Sequence, residues 1–100
     1  MNNLICQAIN NKSIIVFDYN GIKCTVEPHC CGTTKDGQEV IYGYQLNVEP
    51  NKWAIFELNK ISGLGLYGQY FSRARDGFNP DKIGFTNIIC KIKLLQKFPK

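Results

Sequence analysis

The fold class this sequence predicts is mainly β with one N-terminal helix, closed into a small SH3-like or Sm-like antiparallel barrel. Three observations predict it. First, two apolar-rich runs, Glu39–Leu46 and Lys52–Leu58, alternate with a period of two across a short polar connector, as paired strands with distinct faces do. Second, Asn20-Gly21 sits between two runs rich in Ile, Val, Phe and Tyr. That pair is the strongest short hairpin signal, because both central residues of a type I′ turn need positive φ. Third, helical spacing occurs only near the start. Many short strands joined by turns point to a barrel or sandwich, and closure hides the strand edges.

Taken in order, residues 3–11 form the helix, with Leu4, Ile5, Ala8 and Ile9 on one face and Asn2 or Asn3 as its cap. Ser13–Tyr19 is the first strand, and Ile22–Glu27 returns as the second. Pro28 lacks an N–H, so pairing is expected to stop there and His29–Thr34 to be a connection. Lys35-Asp36-Gly37 is a turn. Val40, Tyr42, Tyr44 and Leu46 then share one face of the next strand, and Ala54, Phe56 and Leu58 one face of the strand after it. Residues 60–66 make a strand bent or bulged at Gly63 and Gly65. Residues 68–85 are a long loop, and loops of that length in small domains are often functional. Residues 86–95 close the sheet, and 96–100 are a basic tail.

One hundred residues make a single domain, 1–100, large enough for one core. No apolar run is longer than Ile14–Phe17, which falls far short of the ~20 residues of a membrane span, and Met1-Asn2-Asn3 does not open a secretory signal. Cys6, Cys24, Cys30, Cys31 and Cys90 are odd in number, with two adjacent. We read them as reduced thiols in a reducing compartment, which makes the expected location cytoplasmic. The net charge of +4 comes from the C-terminal end, where Lys91, Lys93, Lys97 and Lys100 face no acid. The remaining body is neutral, which argues against an obligate duplex-DNA binder.

The order AINNKS, IIVFDYNG, KCTVEP, a strand ending GYQL, then WAIFELNKI, resembles the bacterial WYL domain, in particular its small stand-alone relatives. The likeness runs over about residues 4–62, and FSRARDGFNPD through TNIICKI is similar to the closing part of those forms. The tripeptide that names the family is absent near Glu39-Val40-Ile41. Lys23 or Cys24 stands where an Arg usually precedes the Val-Glu-Pro segment, and Lys60-Ile61 matches the family's Arg-Ile pair. The resemblance implies a barrel that senses an anionic ligand, often nucleic acid or a nucleotide, and regulates an attached effector protein.

The most informative local feature is Phe71-Ser72-Arg73-Ala74-Arg75-Asp76-Gly77-Phe78. Ten of the twelve basic residues are Lys, and both Arg fall here. Arg grips phosphate with a planar fork, and flanking Phe71 and Phe78 can stack on a base. The competing reading is a surface loop whose Arg pair with Asp76 or Asp81 while the two Phe plug the core. Tyr44 is either core packing or, with Tyr42, a hydroxyl at the rim of a ligand site beside Lys60; Lys60 is either solvated or a ligand contact.

Pro28-His29-Cys30-Cys31-Gly32 lacks the paired spacing of a zinc site, and His29 is badly placed as a base for an adjacent Cys. Glu27 and Glu49 read as surface groups near turns. No acid–base pair and no phosphate loop is present, and no cofactor is implied. The sequence thus points to a non-enzymatic ligand-sensing module. It takes an anion such as single-stranded nucleic acid or a nucleotide through Arg73, Arg75, Lys60, Tyr44, Phe71 and Phe78. The alternative is a protein-interaction or assembly module, a homodimer included, built on an edge strand or the aromatic loop.

Overall fold

The computed structural model describes residues 2–93; the expected tail at 96–100 and the last two residues of the expected closing strand lie outside them. Helix α1 (Asn2–Asn11) is followed by β1 (Ser13–Tyr19), β2 (Ile22–Thr34), β3 (Glu39–Gln45), β4 (Lys52–Glu57), β5 (Ile61–Tyr70) and β6 (Phe85–Lys91). Helix α1 presents buried Ile5, Ala8 and Ile9 to the sheet, and a helix this short needs such packing to persist. The β1–β2 hairpin turns at Asn20 (φ 53°) and Gly21 (φ 82°), the two positive-φ positions that a type I′ turn requires.

All pairings are antiparallel, in the order β4-β3-β2-β1-β5, with β6 added to β2. This corrects the expected barrel. Strands β4 and β5 end the path on opposite sides and do not pair, so the sheet stays open. The reason lies in β2. Its first half, from Ile22 to Val26, pairs with β1, and its second half, from Cys30 to Thr34, pairs with β6 on the same edge. The last strand therefore extends the sheet along β2 instead of bridging β5 to β4.

The same strand corrects the expected stop at Pro28. Strand β2 runs through the proline, because Pro28 lies in the gap between the pairs Ile15/Val26 and Cys30/Lys91, where neither β1 nor β6 calls for its missing N–H. On the β3 side the register slips between Pro28/Gly43 and Cys30/Tyr42, leaving His29 as the extra residue of a bulge. His29–Thr34 is thus strand, buried from His29 to Gly32, and not a connection. A second bulge falls in β5 at Gly63 (φ 65°), where Val16/Gly65 gives way to Asp18/Ser62; Gly65 itself is paired.

The principal core lies between α1 and one face of the sheet. Ile5, Ile9, Ile15, Phe17, Val26, Cys31, Ile41 and Phe56 meet there. Each buried aliphatic side chain of this size contributes about 1.5–3 kcal/mol. Cys6 of α1 and Cys90 of β6 are joined as a disulfide, with Cα atoms 5.8 Å apart, while Cys24, Cys30 and Cys31 are free and buried. The reading of five reduced thiols is corrected accordingly. The two bonded residues are 84 apart in sequence, and only the packing of α1 against β6 brings them together. No helix among the described residues is long and apolar enough to cross a membrane.

Candidate anion site under the 71–84 loop

The face of β2-β3-β4 that points away from α1 is covered over part of its area. Alternation places Tyr42 and Tyr44 of β3 and Trp53 of β4 on it, and the β2 bulge adds His29. The chain between β5 and β6, residues 71–84, folds back over this face. Phe71 stacks on the His29 ring with centroids 5.3 Å apart and planes 26° apart. Phe78 lies 5.7 Å from Tyr42 and 5.9 Å from Trp53, nearly parallel to both, and 5.3 Å from His29. Such pairs add about 0.5–1.5 kcal/mol each beyond the area they bury. Both Phe therefore act as plugs on a second, aromatic core. Gly77 (φ 90°) lets the loop descend: a Cβ there would lie 3.2 Å from Trp53 Nε1.

Two polar anchors fix the loop. The Arg75 backbone N–H donates to His29 Nε2 at 3.0 Å, and His29 Nδ1 lies 2.9 Å from the Glu27 carbonyl oxygen. The Arg75 guanidinium forms a forked pair with Glu27, Nε to Oε1 at 2.8 Å and Nη2 to Oε2 at 3.1 Å. It also lies 4.6 Å from the centroid of the Tyr44 ring. Glu27, expected at the surface, is only 3% exposed. A carboxylate that deep is tolerable only with a bonded cation, which Arg75 supplies. The same bond raises the Arg75 pKa further above its ordinary value. Burial lowers the His29 pKa, outweighing its bond to the Glu27 carbonyl.

Beside these anchors is a hollow of about 540 Å³, lined by Glu27, Tyr44 and Tyr70 and by Ser72, Arg73, Arg75 and Asp76 of the loop. Arg73 makes no ion pair with the described residues, and its side chain is exposed. Of the residues read from the sequence as a site, Arg73, Arg75, Tyr44 and Phe71 therefore come together here. Phe78 lies beneath them in the aromatic core. Lys60 does not join them. It follows β4, 3.8 Å from Glu57, and Glu57 pairs with Val40, four residues along β3 from Tyr44, or about 13 Å at ~3.3 Å per residue. Its partner is a half-exposed carboxylate on that far side.

A second hollow, about 610 Å³, lies at the Lys60 end, lined by Asn2, Asn3, Gln38, Glu39, Leu58 and Asn59. None of the described residues lining it is a cation, and its polar side chains already bond one another, Asn2 to Glu39 at 3.3 Å and Asn59 to Gln38 at 3.5 Å. Cys30 and Cys31 lie deep in β2, where burial pushes both thiols up to about 11, so neither is an activated nucleophile at neutral pH.

Sequence reasoning missed Glu27, His29, Trp53 and Tyr70. A signal for the first two was present: continued through Pro28, an extended chain puts Glu27 and His29, two apart, on one face, and the register Glu27/Tyr44 makes it the face of Tyr44. No family model matches the chain, and neither the curated proteins nor the solved structures provide a match. The likeness to the WYL domain thus finds no support in these comparisons and, with the barrel it implied, is set aside.

Proposed function

We propose that this protein is a non-enzymatic binding module that takes an anionic ligand, a nucleotide or a short single-stranded nucleic acid, in the hollow beside Arg73. The observation that carries the reading is the clamp on Arg75. Because Glu27 and His29 hold that residue by side chain and backbone, the neighbouring exposed Arg73 is presented over the hollow from a fixed point. Ser72 adds a hydroxyl donor, and the exposed ring of Tyr70 offers a face on which a base can stack, while Tyr44 is already covered by Arg75. Arg73 and Arg75 are balanced by Glu27 and Asp76, so the hollow suits one phosphate group better than a long phosphate track. Neutralising one phosphate of a single strand predicts a shallow salt slope of about −0.7 in log K against log salt.

The test is a fluorescence anisotropy titration at low salt with labelled oligonucleotides and nucleotides. Arg73→Ala is expected to weaken binding about tenfold, the loss of one charge-assisted hydrogen bond, while Lys60→Ala leaves it unchanged. Full affinity in Arg73→Ala, or no salt-sensitive binding by the native protein, overturns the reading. A cytoplasmic location stays part of the proposal on the condition that Cys6–Cys90 is reversible there, since reducing compartments keep such pairs as thiols.

One observation favours a second reading, assembly with another protein or a second copy. Strand β5, ISGLGLYGQY, carries no charge, pairs only with β1 among the described residues, and exposes Leu66, Tyr67 and Tyr70. Open edges usually bear charges that discourage pairing. A dimer on gel filtration, with no thermal shift from nucleotides, would favour this reading over the first.

A further inference from the structure

His29 is the single histidine of the chain, and both its ring nitrogens are engaged by backbone groups. The Glu27 carbonyl can only accept, so Nδ1 carries the hydrogen. The Arg75 amide can only donate, so Nε2 must present its lone pair. Together they fix the neutral ring with its proton on Nδ1. The residue is fully buried, with Trp53 at 4.8 Å and Phe71 and Phe78 at 5.3 Å, so no water replaces a lost partner while the loop is down.

We infer that His29 is a pH-sensitive latch for the segment from Phe71 to Phe78. A proton on Nε2 turns the only side-chain acceptor for the Arg75 amide into a donor facing it, so the segment lifts from the sheet and the hollow comes apart. The charged groups around the ring are few. Glu27 on β2 attracts a proton, and Arg75 on the loop opposes it; the two are bound to each other. From β4 the Trp53 ring lies against His29, with Tyr42 of β3 packed on that Trp53, and just past β6 the Ile92 amide bonds the His29 carbonyl. Lys91, opposite Cys30, is the nearest cation on β6 in the register.

The direction of the effect follows from linkage. Burial keeps the docked His29 below its ordinary value, whereas a ring freed by undocking titrates near about 6.5. Docking is therefore at full strength above that pH. It weakens as pH falls through it, by up to about tenfold per unit, until the docked value is reached. The consequence for ligand rests on the binding role proposed above, but the latch does not. Its test uses no ligand, so the two can fail separately.

The experiment is a titration of the native, nitrogen-15-labelled protein from pH 7.5 to 4.5. It follows the His29 ring nitrogens, the Arg75 amide, the fluorescence of Trp53, the single Trp, and the far-ultraviolet circular dichroism. The expected result is a proton on Nδ1 at neutral pH. On acidification the imidazolium should appear together with loss of the Arg75 amide bond and a Trp53 change, at one midpoint below 6.5 and with the dichroism unchanged. In His29→Gln the Trp53 transition should vanish from this range. Three results overturn the latch. One is a ring that titrates while the Arg75 amide stays bonded. Another is loop release with the same midpoint in His29→Gln, which would assign it to a carboxylate. The third is loss of dichroism at the same midpoint, which is global unfolding.

Discussion

Replacing Arg75 with Ala puts the loop clamp to a direct test. The substitution removes both arms of the forked bond and the cation over Tyr44, and it leaves the Glu27 carboxylate, 3% exposed, without its partner. Breaking a fully enclosed pair from one side costs about 3–5 kcal/mol. Here the Arg75 side chain is 44% exposed, so water enters the vacated space and rehydrates Glu27. We therefore expect about 2 kcal/mol. At a urea m-value of about 1–1.5 kcal/mol/M for a chain of this size, the midpoint should fall by roughly 1.3–2 M. Chemical unfolding at pH 7, followed by circular dichroism, measures it. Adding Glu27→Gln to Arg75→Ala should recover part of the loss, because the stranded charge is gone. A midpoint change below about 0.3 M for Arg75→Ala, or a double variant weaker than the sum of the singles, would refute the view that a buried carboxylate depends on this guanidinium.

Other consequences follow from the same geometry. Reducing the Cys6–Cys90 bond, or changing both residues to Ser, opens a covalent loop of 84 residues' separation and should lower stability by about 2–4 kcal/mol, read as a fall in Tm under dithiothreitol. Gly77→Ala forces a side chain into positive φ and against Trp53 Nε1. It should cost about 1–2 kcal/mol and shift the Trp53 emission at neutral pH, whereas Ser72→Ala, at an exposed position of the same loop, should do neither.

Much of the architecture was legible in the residues. The short helix, the Asn20-Gly21 hairpin, the alternation in Glu39–Gln45 and Lys52–Glu57 and the glycine bulge at Gly63 all follow from local chemistry. Closure was not legible, because it depends on which edge the last strand takes, and β6 adds to β2 through pairing more than fifty residues apart in sequence. Pro28 misled for a related reason. A missing N–H matters only where a neighbouring strand needs it, and that neighbour is set by tertiary structure. The disulfide hides in the same way, since cysteine spacing says nothing about the packing of α1 on β6. At the site, the arginine pair was visible as a departure from a lysine-rich composition. Its division into one clamped and one free member required Glu27, whose burial is decided by the loop that covers it.

The covering loop is held at both ends. At its start, Phe71 is bonded through its amide to the Lys12 carbonyl, just past β5, which pairs with β1. At its end, β6 is fixed to α1 by sulfur. If the segment lifts, it does so as a flap between two moored ends. Chain freedom gained when it lifts is limited, and closing a stretch of residues 71–84 costs only about 2 kcal/mol of loop entropy. Were it to lift, as the latch at His29 requires, β5 and β6 would keep their own pairings and the domain would not melt with it.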